Sequence, residues 1–392
     1  MLTKPQVSFG DELPELDPLL LCEDTDAGWR GLTAAGEILA VNGTKAAAGE
    51  KLAYAKNGAL VGTYTIPAPE PGRIDAYLAN YDNACDLFMH NELGEARRAI
   101  DAAIAVASTS RARWNRALIL LSLGEWKAGL FDFEARHEFI PGPPSEAPRW
   151  WGGDLDGKSI VLQHDLGFGD TIMMLRYVPI LQQRCRVFLD VPPVLERLAG
   201  QLAPVQRPAV GVDYSCPIMS LLHLLEQRPD RLPQDCYLLP DRKLVERWKA
   251  RLPVTDVPRV GVAWSVGNEV ENDYPRAIPL ELLVERLRAT RPDVEIYSVQ
   301  AQGGAEAERQ GVRAPSFEDF ADCAALIALM DEVYSVDTAA LHLAGAIGHG
   351  NVTGLLSHWH SWRWRAPWYP RMNFAVQDEP GDWPSALANI EP

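Results

Sequence analysis

The feature that most constrains the fold is an alternation of short apolar runs with helical patterns, which begins near Lys158 and continues along the rest of the sequence. The first run, 159–163, has a wholly apolar centre, as expected of a strand buried on both faces of a parallel sheet. Regular alternation of strands and helices builds parallel sheets that helices cover on both sides. We therefore predict an α/β fold with two Rossmann-like halves, 147–242 and 243–392, and a cleft between them.

The predicted elements follow these patterns in chain order. In the first half the strands are 159–163 and 186–191, and the helices are 171–181 and 193–202. In the second half the strands are 260–264, 294–299, 332–336 and 352–356, and the helices are 280–289, 317–330, 338–347 and 385–390.

Residues 1–72 carry a different pattern, with short alternating runs separated by Asn42-Gly43 and Asn57-Gly58. An Asn-Gly pair between such runs indicates a β-hairpin. We predict a small β-rich module there, which ends in a linker rich in proline and serves as a packing or oligomerisation cap.

Residues 73–146 have helical periodicity and a repeat, with Leu93-Gly94 and Leu123-Gly124 in equivalent places. The run Trp114-Asn115-Arg116-Ala117-Leu118 resembles the tetratricopeptide (TPR) pattern, in which a small residue lets paired helices pack closely. Since about three repeats are usually needed for independent stability, this TPR-like segment should pack on its neighbours. It acts either as a binding groove for a partner or as a structural adaptor.

The charge balance excludes several partners. Lys and Arg number 37 against 53 Asp and Glu, a net charge of −16, so no basic stripe is available for nucleic acid or an anionic membrane surface. No apolar run reaches the roughly 18 residues of a membrane span, and the first residues lack the apolar core of a signal peptide. The six cysteines form no Cys-x-x-Cys motif, which favours reduced thiols and a cytoplasmic location without a structural metal site.

Ligands of open α/β sheets bind beyond the carboxyl ends of the strands, so the residues directly after each strand are the candidates for chemistry. After the first strand, Gly167 and Gly169 let the backbone approach a ligand. Asp170, in the first turn of the next helix, is either a general base or a helix-capping aspartate. The third glycine of a dinucleotide fingerprint is missing, and so is the P-loop motif.

Two further loops follow strands of the second half. One begins at Trp264 and ends at Arg276, whose guanidinium is either part of a diphosphate cradle or a surface charge. The candidate donor-binding residues of these loops are Trp264, Ser265, Gly267, Asn272 and, after the next strand, Gln300.

The last candidate group follows the strand 332–336. Asp337, Thr338 and Ala339 lie where a helix begins, so they either cap it or bind phosphate there. His342 lies one turn further along the same helical face, where it is either a ligand contact or a core residue.

These motifs recur together, in a fixed order, in one known family. From Trp114 onward the chain resembles TPR-linked bacterial glycosyltransferases of the GT-B fold, relatives of the ADP-heptose:lipopolysaccharide heptosyltransferases. The motifs that carry the resemblance are Trp114-Asn115-Arg116-Ala117-Leu118, Pro148-Arg149-Trp150, Leu155-Asp156-Gly157-Lys158, Gly167-Phe168-Gly169-Asp170-Thr171-Ile172, Arg176-Tyr177, Cys216-Pro217, Arg276-Ala277-Ile278-Pro279-Leu280, Phe320-Ala321-Asp322, Ser335-Val336-Asp337-Thr338-Ala339, His342-Leu343-Ala344-Gly345-Ala346, Trp362-Arg363-Trp364 and Trp368-Tyr369-Pro370. The chain departs from the family at Asp165-Leu166 and at Gly348-His349-Gly350-Asn351.

The resemblance implies an inverting, metal-independent transfer of a sugar from a nucleotide-diphosphosugar, with UDP as the expected nucleotide, to a hydroxyl of a protein or glycan. It implies that Asp170 is the general base and that Arg276 neutralises the departing diphosphate. It further implies that Asp337, Thr338 and His342 hold the phosphates and ribose, and that a final helix crosses back to the first half. The acceptor would dock on the TPR-like segment; a homo-oligomer stays open.

Two alternatives remain at this point. The first is a catalytically inactive TPR/GT-B scaffold that binds a partner protein or a nucleotide-sugar. The second is a sugar-nucleotide epimerase, which the TPR-like segment disfavours because a small substrate needs no docking groove.

Overall fold

The chain forms two compact units, 1–141 and 142–392, in a computed structural model. The structure describes residues 7–8, 19–25, 28–42, 51–56, 59–65, 70–140, 142–207, 210–266 and 276–390. The first unit contains β-strands and four helices within its described residues, and the second contains two parallel sheets with helices.

The first unit begins with β-strands. Its strands are β1 (Val7–Ser8), β2 (Leu19–Thr25), β3 (Gly28–Thr33), β4 (Ile38–Asn42), β5 (Lys51–Lys56) and β6 (Ala59–Thr65). One sheet has the order β1-β4-β3-β2, in which β1 pairs with β4 in parallel and the other pairs are antiparallel, and β5 pairs with β6 in a separate antiparallel hairpin. Lys56 lies opposite Ala59, as a hairpin at Asn57-Gly58 requires, although those two residues lie outside the described ones.

The hairpin predicted at Asn42-Gly43 is wrong. β4 ends at Asn42 and pairs with β3 and β1, not with β5. The antiparallel partner of β4 is the preceding strand β3, and the turn between them contains Gly36, which has a φ of +95°. Glycine adopts that conformation without the steric cost that a side chain brings.

The helices of the first unit form two antiparallel pairs. They are α1 (Arg73–Met89), α2 (Leu93–Val106), α3 (Ser110–Ser122) and α4 (Trp126–Phe133). α1 packs on α2, and α3 packs on α4. The buried Trp114 ring lies 4.6 Å from the ring of Phe133, and Asn115 Nδ2 donates to the Tyr81 hydroxyl at 2.8 Å. Trp114 and Asn115 of the TPR-like motif are therefore core residues of these pairs.

The helices also pack on the strands of their own unit. The Glu23 carboxylate accepts from the Gly72 N–H at 2.9 Å and from Arg30. The Ser110 N–H donates to the Ala34 carbonyl at 2.9 Å. The start of α1 and the start of α3 are therefore tied to the β-strands by buried or half-buried hydrogen bonds.

The first sheet of the second unit is parallel, with the order β8-β7-β9. Its strands are β7 (Ser159–Gln163), β8 (Arg186–Asp190) and β9 (Tyr214–Pro217). The helices are α5 (Phe168–Met174), α6 (Val178–Leu181), α7 (Pro193–Ala199), α8 (Leu221–Leu224) and α9 (Arg242–Arg251). The single helix predicted over 171–181 is interrupted by a 3-10 turn, because Pro179 cannot donate the backbone hydrogen bond of a continuous helix.

The second sheet is also parallel, with the order β11-β10-β12-β13-β14. Its strands are β10 (Arg259–Ala263), β11 (Glu295–Ser298), β12 (Glu332–Val336), β13 (Val352–Leu356) and β14 (Met372–Val376). The helices are α10 (Leu280–Thr290), α11 (Gly304–Arg309), α12 (Phe320–Ile327), α13 (Ala339–Ala346) and α14 (Trp383–Ala388). The predicted α/β class with parallel sheets is confirmed.

The final helix, α14, belongs to the second half. Trp383, Ala386 and Leu387 are buried in the core of that half, and α14 packs on α10 and β14. Arg286 of α10 donates to the carbonyl of Ile390 just beyond α14 at 2.7 Å. These apolar contacts fix α14 to the second half, whereas the resemblance implied a helix that crosses back to the first.

No helix in the described part of the chain combines the length and the apolar composition that a membrane crossing requires.

The packing of α3 against α4 yields a stability prediction at Gly129. A Cβ there would lie 2.8 Å from Leu121 Cγ and 3.1 Å from the Leu121 backbone nitrogen, whereas Gly94, also helical, has nothing within 4 Å. We expect Gly129→Ala to lower the free energy of unfolding by about 1–3 kcal/mol relative to Gly94→Ala, because overpacking is destabilising. Thermal unfolding of both variants measures this; equal melting temperatures would contradict the packing.

Candidate active site

The two halves of the second unit meet where α5 begins and α13 runs past it. A Cβ on Gly169 would lie 2.7 Å from His342 Cδ2 and 3.5 Å from the Ala339 Cα. This close approach brings the loop after β7, which contains Gly167, against the helix that follows β12. The loop after β7 with the start of α5, and the start of α13, each follow the carboxyl end of a strand. They form one contact region between the halves, which we call the seam.

Asp170 lies in the seam and has a donor on each carboxylate oxygen. Oδ2 accepts from the Gly167 N–H at 3.1 Å, which is the capping arrangement that the sequence left open. Oδ1 accepts from Arg363 Nε at 2.5 Å, and the side chains of the pair are only 15% (Arg363) and 13% (Asp170) exposed. Asp170 is therefore both a helix-capping residue and one half of an ion pair between the halves.

Arg276 and Asp337 form a second ion pair beside α13. Arg276 Nη1 lies 3.4 Å from Asp337 Oδ2 and 3.4 Å from the Asp337 carbonyl oxygen. Burial raises the pKa of Asp337, but the charge of Arg276 and smaller contributions from other neighbours together outweigh this and hold that pKa below its ordinary value. Asp337 therefore stays ionised and anchors the half-buried guanidinium at the start of α13.

Thr338 occupies the N-cap position of α13 without capping it through its side chain. Its hydroxyl lies 3.0 Å from Ser335 Oγ instead. Within the described part of the chain, the first N–H groups of α13 have no side-chain acceptor, and they lie at the end of the helix where the macrodipole is positive. A phosphate or carboxylate is the group that such a helix start attracts.

His342 is a buried, neutral residue of the seam. Its Nδ1 lies 3.0 Å from the Tyr369 hydroxyl, and its ring stacks on Trp364 at 4.3 Å. Burial lowers the pKa of His342 to about 4, against the opposing charges of Asp337 and Asp170. In this structure the ring fills the space between the halves, as a core histidine does.

Gln300 shapes the start of the loop after β10. Its Oε1 accepts from the N–H groups of Trp264 at 2.8 Å and Ser265 at 3.0 Å, and its Nε2 donates to Ser265 Oγ at 2.7 Å. The Trp264 ring is buried in the core of the second half, where its Nε1 donates to Glu306. Gly267 and Asn272, the other predicted donor-binding residues of this loop, lie outside the described residues.

Arg176 is a further seam residue, to which no individual role was assigned from the sequence. It is buried, and its Nη1 donates to the carbonyls of Pro233 at 2.7 Å and Trp368 at 3.0 Å. Its guanidinium lies 4.9 Å from the ring centroids of Tyr237, Trp368 and Tyr369. Both Arg176 and Arg363 fall within motifs of the family resemblance, which is the signal that could have identified them.

Among the described residues, no group of three or more His, Cys, Asp and Glu side chains is placed to hold a metal ion.

Comparison with known proteins gives one sequence relative and several similar structures. No family model matches the chain. It is 26% identical over 335 residues to Protein FlbA of Caulobacter vibrioides, and the match covers 70% of this chain and 53% of that protein. The chain thus spans about half the length of this curated relative.

Three of the similar structures are named as glycosyltransferases. The E. coli ADP-heptose lps heptosyltransferase II has a TM-score of 0.44 and 12% identity, and the match covers 60% of this chain and 95% of that one. A family 9 glycosyl transferase from Veillonella parvula has a TM-score of 0.41 and 10% identity over 58% and 88%. The dodecameric, iron-containing TibC of enterotoxigenic E. coli has a TM-score of 0.38 and 12% identity over 52% and 60%.

The neutral state of His342 makes the stability of the seam depend on pH. Unfolding restores the ordinary histidine pKa of about 6.5, so the unfolded chain binds the proton more readily. This contribution is fully present above about pH 6.5 and is lost, by about 3 kcal/mol, as the pH falls to about 4. We expect His342→Phe to flatten the dependence of the melting temperature on pH in this range.

The control is His90→Phe, which changes an exposed histidine of the first unit and should keep the wild-type pH dependence. An unchanged slope in His342→Phe would show that His342 does not titrate as described.

Proposed function

We propose that this chain transfers a sugar from a nucleotide-diphosphosugar to a hydroxyl of a protein or glycan, with inversion and without a metal ion. The observation that carries the proposal is the seam itself. It collects a carboxylate, Asp170, two guanidinium groups, Arg276 and Arg363, and the uncapped start of α13. These are the groups that a diphosphate leaving group and a hydroxyl nucleophile require.

The donor's diphosphate would bind at the start of α13. The free N–H groups there and the guanidinium of Arg276 supply hydrogen bonds and positive charge, and Asp337 fixes Arg276 in place. Arginine suits this role because it offers a planar set of donors that never loses its charge. UDP is the nucleotide that the family resemblance favours. The Ser265 hydroxyl, held by Gln300, is a further polar group after β10.

In the reaction, the acceptor oxygen attacks the anomeric carbon while Asp170 takes the proton of its hydroxyl. The bond from the anomeric carbon to the diphosphate breaks, and its electron pair leaves with the diphosphate. Attack from the face opposite the leaving group inverts the anomeric centre. Arg276 and the helix start offset the charge that grows on the leaving group, in the way that preorganised donors stabilise a transition state. The helices α1–α4 are the proposed docking surface for the acceptor.

A nucleotide-binding scaffold is the second candidate function. It is favoured by the two donors on Asp170, since a carboxylate that caps a helix and forms an ion pair has a sufficient structural reason to be present. The scaffold and the enzyme share the donor site and differ in whether Asp170 accepts a proton.

Nucleotide binding is tested by thermal unfolding with UDP, ADP, GDP and their sugars. A ligand at about a hundred times its dissociation constant should stabilise the second unit by about 2.7 kcal/mol. Arg276→Ala should weaken this binding, whereas Arg309→Ala, which removes an exposed arginine of α11, should leave it unchanged. If no nucleotide raises the melting temperature, the donor site proposed here does not exist.

The role of Asp170 is tested with the donor that this panel identifies. Asp170→Ala should lower transfer by about 10²–10⁴-fold, the usual contribution of a general base, without weakening nucleotide binding. Release of nucleoside diphosphate in the presence of acceptor measures the rate. Full activity of Asp170→Ala would exclude it as the base, and a wild type that binds the donor but never transfers its sugar would favour the scaffold.

A further inference from the structure

We propose that Arg363 couples donor binding to the release of Asp170: it holds the base in the free protein and moves to the donor's diphosphate when that binds. This inference rests on the proposed function and deepens it. Arg363 is thereby a positioning residue for Asp170 and a second cationic contact for the diphosphate.

First, Arg363 holds Asp170 in this structure. Arg363 Nε occupies Oδ1 and the Gly167 N–H occupies Oδ2. Of these donors, the Gly167 N–H belongs to the same helix start, whereas Arg363 comes from the 3-10 helix Trp362–Arg365 of the other half. Arg363 is therefore the donor that can leave without unwinding α5.

Second, the Arg363 guanidinium has N–H donors left for another anion. Its Nη1 donates to Ser361 Oγ at 3.1 Å, and its guanidinium lies over the Trp362 ring at 4.8 Å. No hydrogen bond joins Nη2 to another described residue. The contacts with the indole face and Ser361 do not involve Asp170, so the guanidinium can exchange Asp170 for a ligand and keep them.

Third, Arg363 lies close enough to the proposed diphosphate site for its charge to act there. A Cβ on Gly169, next to Asp170, would lie 3.5 Å from the Ala339 Cα at the start of α13, so the Asp170–Arg363 pair lies beside that helix start. In agreement with this, burial raises the pKa of Asp337, and the charges of Arg276 and, more weakly, Arg363 are among the causes that lower it. Asp337 directly precedes the start of α13, so the charge of Arg363 acts at the same place as that of Arg276. A diphosphate there carries more charge than one carboxylate and accepts two parallel hydrogen bonds from a guanidinium, so it competes well for Arg363.

The coupling has a direct consequence for the order of binding. Before the donor is present, Asp170 keeps both of its hydrogen-bond donors, and the Arg363 guanidinium covers Oδ1. Once the diphosphate engages Arg363, Oδ1 becomes available to the acceptor hydroxyl. Donor binding therefore precedes activation of the acceptor.

The test is a double-mutant cycle on the affinity of the full chain for inorganic pyrophosphate, measured by calorimetry at fixed ionic strength. The four proteins are the wild type, Asp170→Asn, Arg363→Gln and the double variant. We expect Asp170→Asn to tighten binding by at least about fivefold, because it frees Arg363, and Arg363→Gln to weaken it. In the Arg363→Gln background, Asp170→Asn should have no further effect.

Two controls keep the cycle interpretable. Arg365→Gln removes an exposed arginine from the same 3-10 helix and should leave both the affinity and the effect of Asp170→Asn unchanged. Arg363→Lys keeps the charge but loses the fork of donors, so it should restore part of the affinity and part of the coupling. If Arg363→Gln does not fold, Arg363→Lys replaces it in the double-mutant cycle.

The outcomes separate this inference from the function on which it rests. If Asp170→Asn tightens binding equally with and without Arg363, or does not tighten it, the coupling is overturned while the donor site stands. If neither pyrophosphate nor any nucleotide binds the wild type, the proposed function itself fails and the coupling fails with it.

Discussion

The absence of a side chain at Gly169 is the constraint on which the seam depends. His342 and Ala339 approach the α5 backbone so closely that a single added carbon would overlap the imidazole ring. Packing at that distance holds the loop after β7 against the helix after β12, and so brings Asp170 to the half that carries Arg363. Glycine serves here through its small volume, since no positive φ is involved.

Charge in the seam is arranged so that each cation has a defined partner. Arg276 pairs with Asp337 and Arg363 pairs with Asp170, and both carboxylates lie next to the start of a helix. An incoming diphosphate would therefore exchange existing ion pairs for its own and would not enter a site of unbalanced charge. Before the ligand arrives, the existing ion pairs lower the free-energy cost of keeping two guanidinium groups partly buried.

The sequence predicts the local elements of the second unit well and its long-range contacts poorly. β7 and β13 have the predicted bounds, and β7 has a wholly apolar centre. β14 is not among the strands predicted from the sequence, and its apolar residues are interrupted by Asn373.

The candidate site shows the same limit. Position after a strand identified Asp170, Arg276 and Asp337, but it could not tell that the Trp264 ring points into the core, because side chains alternate in direction along a strand. Arg363 meets Asp170 across 193 residues of sequence, a separation over which no local pattern carries information.

The environment of Arg176 has a consequence for how the halves respond to dissolved salt. The partners of this buried cation are carbonyl oxygens, a tyrosine hydroxyl and aromatic faces, all of them neutral. Mobile ions compete with ion pairs at exposed positions, but they have no opposite charge to screen here and no access to the guanidinium. The contact that Arg176 makes between the halves should therefore persist at salt concentrations high enough to weaken ion pairs elsewhere in the molecule.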